Sequence, residues 1–396
     1  MSKIKSILAR EIIDSRGIPT VEVEIELTSK HIGIASVPSG ASTGTFEAHE
    51  LRDCDKNRFF SKGVKNAVAL INTEIQETIL GFDVINQNEI DKVLIDLDGT
   101  KNKKRLGANS ILAISLACAK VAAKLLNTPL YKYIGGIHNL IPTPMMNIIN
   151  GGCHSNNKLD FQEFMIIPSG FELFSDSLRA GCEIFNSLKQ LLSSKNLSTS
   201  VGDEGGFAPN ISSNRECLDL IINAIEKAGY QPGSDVFLAL DVAASEFFVD
   251  KKYKLSGESL EVDNEGLIKY FKSLVNDYPI ISIEDGLDEN DWEGWKILTS
   301  EIGQKCQLVG DDLFVTSSKR LNKGIQNKCG NAILIKPNQI GTVSETIETI
   351  ELAKNNNFNT IISHRSGETE DTFISDFAVG ITSGQIKTGS LSRSER

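Results

Sequence analysis

Apolar and polar residues alternate near the start of the chain. From Val21 to Leu27 every second residue is apolar, and the residues between them are glutamates. This period of two predicts a strand with one buried face and one solvated face. Helical spacing of apolar residues follows at 64–80, 87–94 and 110–126. Asn109 is the predicted N-cap of the last of these helices.

The pattern changes beyond about residue 144, where short apolar runs recur and most are followed by a helical stretch. Each run leads into a polar residue: Asp241, Glu284, Asp311, Lys336, His364 or Lys387. Strands that alternate with helices predict a mainly parallel sheet, and reactive side chains at strand ends are typical of a β/α barrel. The sequence therefore predicts an α/β fold, with an N-terminal α+β domain over 1–135 and a barrel over 136–396.

Composition narrows the function classes. The chain has 396 residues and a formal net charge of -11, which argues against a nucleic acid or an anionic membrane surface as the main partner. No stretch approaches 18 apolar residues without a charged one, so the sequence predicts no membrane span, and the N-terminal apolar run is too short for a signal peptide. The seven cysteines form no C-x-x-C pair, which favours a reduced, cytoplasmic protein.

Three of the strand-end residues are acids. If Asp241, Glu284 and Asp311 converge in a barrel, two carboxylates 4 Å apart repel by about 4 kcal/mol at an effective dielectric of 20. Such a group needs a cation or bound protons, and an all-oxygen ligand set favours Mg²⁺, Mn²⁺ or Ca²⁺. The alternative is that the three acids cap strand ends and pair with lysines, and their spacing alone does not decide between the two.

Lys336 and Glu204 are candidate proton-transfer groups. Lys336 follows the apolar run 332–335, where burial and neighbouring cations would lower its pKa and allow it to act as a neutral base. Glu204 lies among glycines that let the backbone approach a ligand. The alternatives are a lysine that reaches solvent and an acid in a surface turn.

A cation and a hydroxyl occur together after the run at 360–363. Arg365 and Ser366 in that segment suit a phosphate group, and Lys387 offers a second cation. A histidine next to an arginine is weak evidence for a phosphate site by itself. The evidence is stronger because this pair lies at the same predicted barrel mouth as the other candidate residues.

Taken together, ten motifs resemble those of the enolase family, and they occur in family order over essentially the whole chain. They are DSRG at 14–17, SGASTG at 39–44, MMNIINGG at 145–152, QEFM at 162–165, GDEGG at 202–206, SIEDGL at 282–287, GDDL at 310–313, IK at 335–336 with NQIG at 338–341, SHRSGET at 363–369 and QIKTG at 385–389. The resemblance implies an N-terminal α+β cap packed on a modified β/α barrel with an antiparallel early strand.

The resemblance also implies an activity and a setting. The expected reaction is the reversible dehydration of 2-phosphoglycerate to phosphoenolpyruvate, a hydro-lyase step of glycolysis and gluconeogenesis, with two Mg²⁺ per active site. The expected protein is a cytoplasmic homodimer. Family members continue with a helix beyond the position of Arg396, and this sequence does not contain that helix. Arg10 matches a residue that contacts the helix across the dimer interface, which leaves the oligomeric state open.

Residue roles carried over by position belong to the same resemblance. It implies that Lys336 removes the proton next to the substrate carboxylate and that Glu204 protonates the leaving hydroxyl. The other implied assignments are Asp241, Glu284 and Asp311 to the first Mg²⁺, Ser42 on a mobile loop to the second, Glu163 to the proton supply of Glu204, His154 and His364 to the pocket lining, Arg365 and Ser366 to the phosphate, and Lys387 to the substrate carboxylate.

Two other classes compete with this hypothesis. A racemase or cycloisomerase of the same superfamily would share the three carboxylates. Such enzymes usually carry Lys-x-Lys on an early barrel strand, where this chain has Gly-Asp-Glu at 202–204. A non-catalytic scaffold is the third class, and the intact charged catalytic positions argue against it.

Overall fold

The computed structural model describes residues 1–41, 43–137 and 140–392. Its N-terminal part is an antiparallel sheet in the order β1-β2-β3, covered by helices. The elements are β1 (Ile4–Ile13), β2 (Pro19–Leu27), β3 (Ile32–Ser36), α1 (Lys65–Leu70), a π-helical turn (Ile71–Ile75), α2 (Gln76–Ile79), α3 (Gln87–Asp98), α4 (Ala108–Leu125) and α5 (Leu130–Gly135). The alternating segment at 21–27 lies in β2 with its apolar residues fully buried, so the strand prediction is confirmed.

Helix α4 is the centre of this N-terminal part. Most of its residues are buried. Among the helices of the described residues, α4 is the one whose length and apolar composition would suffice to cross a membrane. Because 83% of it is buried inside the protein, it is a core helix. The predicted N-cap at Asn109 is wrong, because the helix begins at Ala108 after Gly107. The side chain of Asn109 instead accepts a hydrogen bond from the backbone N–H of Leu51 at 3.0 Å.

The second part of the chain is a closed barrel of eight strands in the order β10-β11-β12-β13-β14-β4-β5-β6. The barrel strands are β4 (Thr143–Asn150), β5 (Glu163–Ile167), β6 (Phe237–Asp241), β10 (Ile280–Glu284), β11 (Gln307–Gly310), β12 (Ala332–Ile335), β13 (Asn359–Ser363) and β14 (Gly384–Lys387). Only β5 among them runs antiparallel, pairing in that sense with both β4 and β6. The predicted fold class, including the antiparallel early strand, is confirmed.

Helices surround the barrel, and a small hairpin sheet follows β6. The remaining elements are α6 (Phe174–Ser194), α7 (Asn214–Lys227), β7 (Phe248–Val249), β8 (Lys252–Leu255), β9 (Leu260–Val262), α8 (Asn264–Asp277), α9 (Trp292–Ile302), α10 (Ser318–Asn327), α11 (Pro337–Ile340), α12 (Val343–Asn355) and α13 (Phe373–Gly380). Short 3₁₀ turns occur at Phe59–Ser61, Gly152–His154 and Ala244–Phe247.

The barrel interior is apolar at mid-height. Buried residues such as Met165, Val309 and Leu334 form a cluster of their own there, separate from the larger core between sheet and helices. Side chains point inward at every second position of a strand. The residue two positions after an inward apolar residue therefore reaches the carboxyl end of the barrel, which is where Asp311 and Lys336 lie.

Ion pairs join the N-terminal part to the barrel. Lys120 of α4 contacts Asp371 at 2.6 Å, and Lys103 contacts Glu345 of α12 at 3.0 Å. Both pairs hold the N-terminal part close to the carboxyl ends of the barrel strands, above which the segment after β3 passes. The domain boundary at residues 135 and 136 stays a prediction.

Candidate active site

Three acids come together at the carboxyl end of the barrel. Asp241 ends β6 and Glu284 ends β10, and these two residues are direct partners in the parallel pairing of the strands. Asp311 follows β11, the next strand. All three acids are at least nine-tenths buried. The structure thus brings together the three predicted ligand positions.

The ammonium group of Lys387 lies among these acids. It is 2.8 Å from Glu284 Oε2, 3.1 Å from Asp241 Oδ2 and 3.2 Å from Glu163 Oε1. Burial by itself would lower the pKa of Lys387, but the three carboxylates raise it well above its usual value. Burial and the charge of Asp241 raise the pKa of Glu284, although Lys387 opposes this effect. Asp241, Glu284 and Glu163 therefore share the positive charge of Lys387, which offsets their mutual repulsion.

Lys336 lies on the other flank of the acids. It follows β12, and its Nζ contacts Asp311 Oδ2 at 2.5 Å. Burial lowers its pKa, as the sequence suggested, but Asp311 outweighs that effect and the pKa is raised overall. The expected lowering of the Lys336 pKa is therefore wrong for this structure, because the sequence does not disclose how close Asp311 lies.

A second acidic group faces Lys336 across the barrel mouth. Glu163 begins β5 rather than ending it, but β5 is antiparallel, so its first residue lies at the carboxyl end of its neighbours. Asp241 is the direct pairing partner of Glu163 on β6. In the order of the closed barrel, β12 and β5 are four strands apart, on opposite sides.

Glu204 joins this second group from the loop between α6 and α7. His154 Nδ1 is 3.6 Å from its Oε1, and His364 Nε2 is 3.6 Å from its Oε2. Its carbonyl oxygen accepts a hydrogen bond from the backbone N–H of Ser390 at 2.9 Å. Gly389, with φ +87, permits this approach, because a Cβ there would lie 2.8 Å from the Glu204 carbonyl oxygen and 2.9 Å from the ring of His364.

The two glutamates have opposite electrostatic environments. Burial and the charge of Glu204 raise the pKa of Glu163 well above its usual value, against the effect of Lys387. Burial would also raise the pKa of Glu204, but His154 and His364 hold it well below its usual value. One carboxylate oxygen of Glu163 lies within 4.8 Å of one of Glu204. These environments therefore favour the protonated form of Glu163 and the ionised form of Glu204.

A cationic region lies beside Lys336. Arg365 is 3% exposed and binds Glu47 in a bidentate pair, with Nη1 2.9 Å from Oε2 and Nη2 3.1 Å from Oε1. Ser366 Oγ accepts hydrogen bonds from the backbone N–H of Ala41 at 2.7 Å and from Arg16 Nη1 at 3.2 Å. The segment after β3 thus contacts the barrel at the predicted phosphate position. Ser42 lies outside the described residues.

One cavity unites most of the predicted positions. Its lining comprises His154, Gln162, Glu163, Glu204, Asp241, Lys336, Ser363, His364, Arg365, Ser366 and Lys387. Glu284 and Asp311 adjoin it through their contacts with Lys387 and Lys336. Apart from Ser42, the structure brings every predicted site residue to the same mouth of the barrel.

Comparison with known proteins agrees with this geometry. Residues 4–134 match the model of the enolase N-terminal domain, and residues 138–396 match that of the enolase C-terminal TIM barrel domain. The enolase of Ehrlichia canis (strain Jake) is 58% identical over 394 residues, which cover 99% of this chain and 93% of that protein.

The chain belongs to the enolase family. It is a lyase, a phosphopyruvate hydratase, and it catalyses the Mg²⁺-dependent, reversible dehydration of 2-phosphoglycerate to phosphoenolpyruvate in glycolysis. The racemase, cycloisomerase and scaffold hypotheses are therefore set aside.

The donor set fits the magnesium that an enolase requires. The predicted ligands of the first Mg²⁺ supply only carboxylate oxygens, which suit a hard divalent cation. Glu284 Oε1 is buried and has no hydrogen-bond partner within the described residues, so its lone pairs are available to coordinate a cation. In the same part of the chain, two sets of potential ligand atoms lie within 4.8 Å of one another: His154, Glu163 and Glu204, and Asp285, Asp311 and Asp312. The predicted trio of Asp241, Glu284 and Asp311 is not one of these sets.

Sequence reasoning missed several polar residues that hold this enolase site together. Gln162 Nε2 donates to Asp241 Oδ2 at 3.1 Å, and Asn147 Nδ2 donates to Glu204 Oε2 at 3.3 Å. Glu47 contacts Arg365, and Gln339 donates a hydrogen bond to Asp311. Each lies inside or next to a quoted motif, so proximity to a motif was the available signal, but amides and a lone acid carry no distinctive spacing.

Proposed function

We propose that Lys336 and Glu204 perform the two proton transfers of the dehydration. Lys336 removes the proton next to the substrate carboxylate, and Glu204 protonates the hydroxyl group that leaves. The observation that carries this proposal is their placement on opposite sides of the barrel mouth, with Lys336 after β12 and Glu204 beside Glu163 of β5. An acid and a base that act on adjacent carbons need separate positions on either side of the substrate.

Glu163 supplies the proton that Glu204 delivers. The raised pKa of Glu163 keeps a proton next to Glu204, whose own pKa is lowered. Proton transfer from the carboxyl group of Glu163 to the nearby carboxylate of Glu204 would provide the proton for the leaving hydroxyl. His154 and His364 line this side of the pocket and hold Glu204 in place.

Asp241, Glu284 and Asp311 are proposed to hold the first Mg²⁺, and Ser42 to hold the second. Magnesium supplies positive charge next to the substrate carboxylate, where negative charge develops as the proton leaves. Lys387 adds a fixed ammonium group at the same place. Because Asp311 now contacts Lys336, a cation bound to Asp311 would compete for that carboxylate and favour the neutral amine.

Arg365 and Ser366 are proposed to bind the substrate phosphate. The guanidinium of Arg365 is buried, and a planar fork of donors suits phosphate oxygens. Ala41 donates its N–H to Ser366, so the segment that begins at Ser39 already lies over this position. Closure of this segment would exclude water from the reacting groups.

A cytoplasmic homodimer is proposed as the working form. The cysteines at described positions are free thiols, which suits a reducing compartment. Strand β1 carries exposed Leu8 and Ile13, and Arg10 on it pairs with Glu22 and Glu24 on β2. Light scattering after size exclusion tests the dimer, and a monomer mass at micromolar concentration would contradict it.

The base assignment is tested by Lys336→Met, with Lys319→Met on exposed α10 as the matched control. Formation of phosphoenolpyruvate from 2-phosphoglycerate is followed by its ultraviolet absorbance at saturating Mg²⁺. We expect Lys336→Met to lose activity by at least about 100-fold and the control to retain it. Turnover at the unsubstituted rate in Lys336→Met would refute the assignment.

A further inference from the structure

Gln339 contacts the metal-ligand candidate Asp311 from a position that the proton transfers do not use. It lies in α11, three residues after Lys336, and is 1% exposed. Its Nε2 donates to Asp311 Oδ1 at 2.8 Å. The other carboxylate oxygen of Asp311 is the one that Lys336 contacts. Gln339 therefore fixes the oxygen that Lys336 leaves free.

The orientation of the Gln339 amide is determined by its neighbours. Thr316 Oγ1 donates to Gln339 Oε1 at 2.7 Å, and the same hydroxyl accepts the backbone N–H of Lys336 at 2.9 Å. The amide nitrogen faces two carboxylates, which only accept hydrogen bonds when ionised. The backbone at Asp311 is held independently, because its N–H donates to Asp285 Oδ1 at 2.9 Å.

Gln339 also connects Asp311 to the phosphate side of the site. Its Nε2 lies 3.3 Å from Glu47 Oε1. The same oxygen accepts the N–H of Gly44 at 3.1 Å and contacts Arg365. Glu47 is therefore the point where the segment after β3, the phosphate-binding arginine and the amide that holds Asp311 meet.

We propose that Gln339 is a positioning residue for the magnesium site. It orients Asp311 for the cation and, through Glu47, links that carboxylate to the segment after β3 and to Arg365. This inference rests on the proposed role of Asp311 as a ligand. Residues that hydrogen-bond to metal ligands without touching the metal typically change metal affinity or activity 10–100-fold when they are substituted. A protein that carries a side chain of the same length without hydrogen-bond donors at position 339 should therefore bind magnesium more weakly.

The test is Gln339→Met, with Gln307→Met as the matched control. Gln307 begins β11, the strand that leads into Asp311, but its amide bonds lie at the opposite end of the barrel, with Ser282 and Gln385. Magnesium binding to substrate-free protein is measured by titration calorimetry, so that the readout does not depend on turnover. We expect the dissociation constant to rise about 10–100-fold in Gln339→Met and to change less than about twofold in Gln307→Met.

Asp311→Asn separates failure of this inference from failure of the assignment beneath it. If Asp311→Asn loses magnesium binding while Gln339→Met binds as tightly as the unsubstituted protein, the positioning role is overturned and the ligand role stands. If Asp311→Asn also binds normally, the ligand assignment falls, and the inference falls with it.

Two further measurements keep the inference falsifiable. If Gln339→Met does not fold, Thr316→Val removes the hydroxyl that orients the amide, and we expect a smaller rise in the magnesium dissociation constant. An unchanged constant there would overturn the proposal. For the link to the phosphate side, Glu47→Gln and Gln339→Met are combined. Additive effects on magnesium binding in the presence of inorganic phosphate would contradict the link, since coupled residues are non-additive.

Discussion

The two ends of the barrel are built from the same strands but hold opposite kinds of polar groups. At the amino end, Gln307 and Gln385 exchange hydrogen bonds of 2.9 Å across the interior, and Ser282 and Asn359 join them. These four side chains are neutral, and each has a hydrogen-bond partner. On two of these strands the next inward position, at the carboxyl end, is charged: Glu284 lies two residues after Ser282, and Lys387 two residues after Gln385.

This difference separates stability from function. A neutral amide network costs little to bury, because its hydrogen bonds replace those made with water. Buried charges are costly unless they are paired, and pairing them rarely gains net stability. The buried lysines offset part of this cost at the carboxyl end, and binding of cations and anionic substrate offsets more of it, whereas the amino end carries little such cost.

The largest expected contrast compares Glu284→Gln with Ser282→Ala on the same strand. Glu284→Gln removes a proposed ligand of a cation that contributes several kcal/mol to the transition state, so we expect activity to fall by about 10³-fold or more. Ser282→Ala should change it less than about twofold. Absorbance assays at saturating Mg²⁺ measure both, and a similar loss in the two variants would contradict the division between the ends.

A second contrast concerns stability without magnesium. Lys387→Met leaves Asp241, Glu284 and Glu163 without the ammonium they share, and breaking a buried ion pair costs about 3 kcal/mol or more. Urea unfolding in a chelator measures this loss. We expect added Mg²⁺ to restore part of it, because another cation then neutralises the acids. A variant as stable as the unsubstituted protein would show that these charges are not coupled.

The pH dependence of stability gives a third contrast. The pKa of Glu163 is raised above its usual 4.5 in the folded protein. The contribution of Glu163 to the free energy of unfolding is therefore fully present below its pKa in the unfolded chain. That contribution is lost as the pH rises through its pKa in the folded protein. Glu163→Gln mimics the protonated form, so in chelator its free energy of unfolding should gain up to about 1.4 kcal/mol per pH unit above 4.5 relative to the unsubstituted protein. Parallel pH profiles for the two proteins would contradict the raised pKa.

The smallest expected effect lies at the amino end. Gln385→Met removes the amide bonds to Gln307, and we expect a loss of about 1 kcal/mol in the free energy of unfolding. Activity and magnesium affinity should stay within about twofold. A large loss of activity in this variant, in protein shown to be folded by circular dichroism, would mean that the two ends are not independent.

Hydrophobic periodicity was enough to predict much of the fold. The alternation in β2 and the short runs that end in polar residues identified the strands, because side-chain direction follows directly from the period of a strand. The predicted N-cap of α4 was wrong because the side chain of Asn109 accepts a hydrogen bond from Leu51. The local sequence pattern does not reveal such a tertiary contact.

The site was predicted where residues carry chemistry at strand ends or in family motifs. The role of β5 could not be read from strand ends alone, since Glu163 begins its strand and reaches the site only because β5 is reversed. The pKa of Lys336 was misjudged because it depends on the position of Asp311. Gln339 and Glu47 were not predicted, because their place in the site depends on tertiary contacts with Asp311 and Arg365 that the sequence does not reveal.

The central claim is that proton removal and hydroxyl departure are assigned to different sides of the barrel mouth. Exchange of the substrate proton next to the carboxylate with deuterated solvent, followed by proton NMR, measures the first step alone. We expect Glu204→Gln to keep this exchange while it loses dehydration, and Lys336→Met to lose both. Exchange at the unsubstituted rate in Lys336→Met would contradict the account.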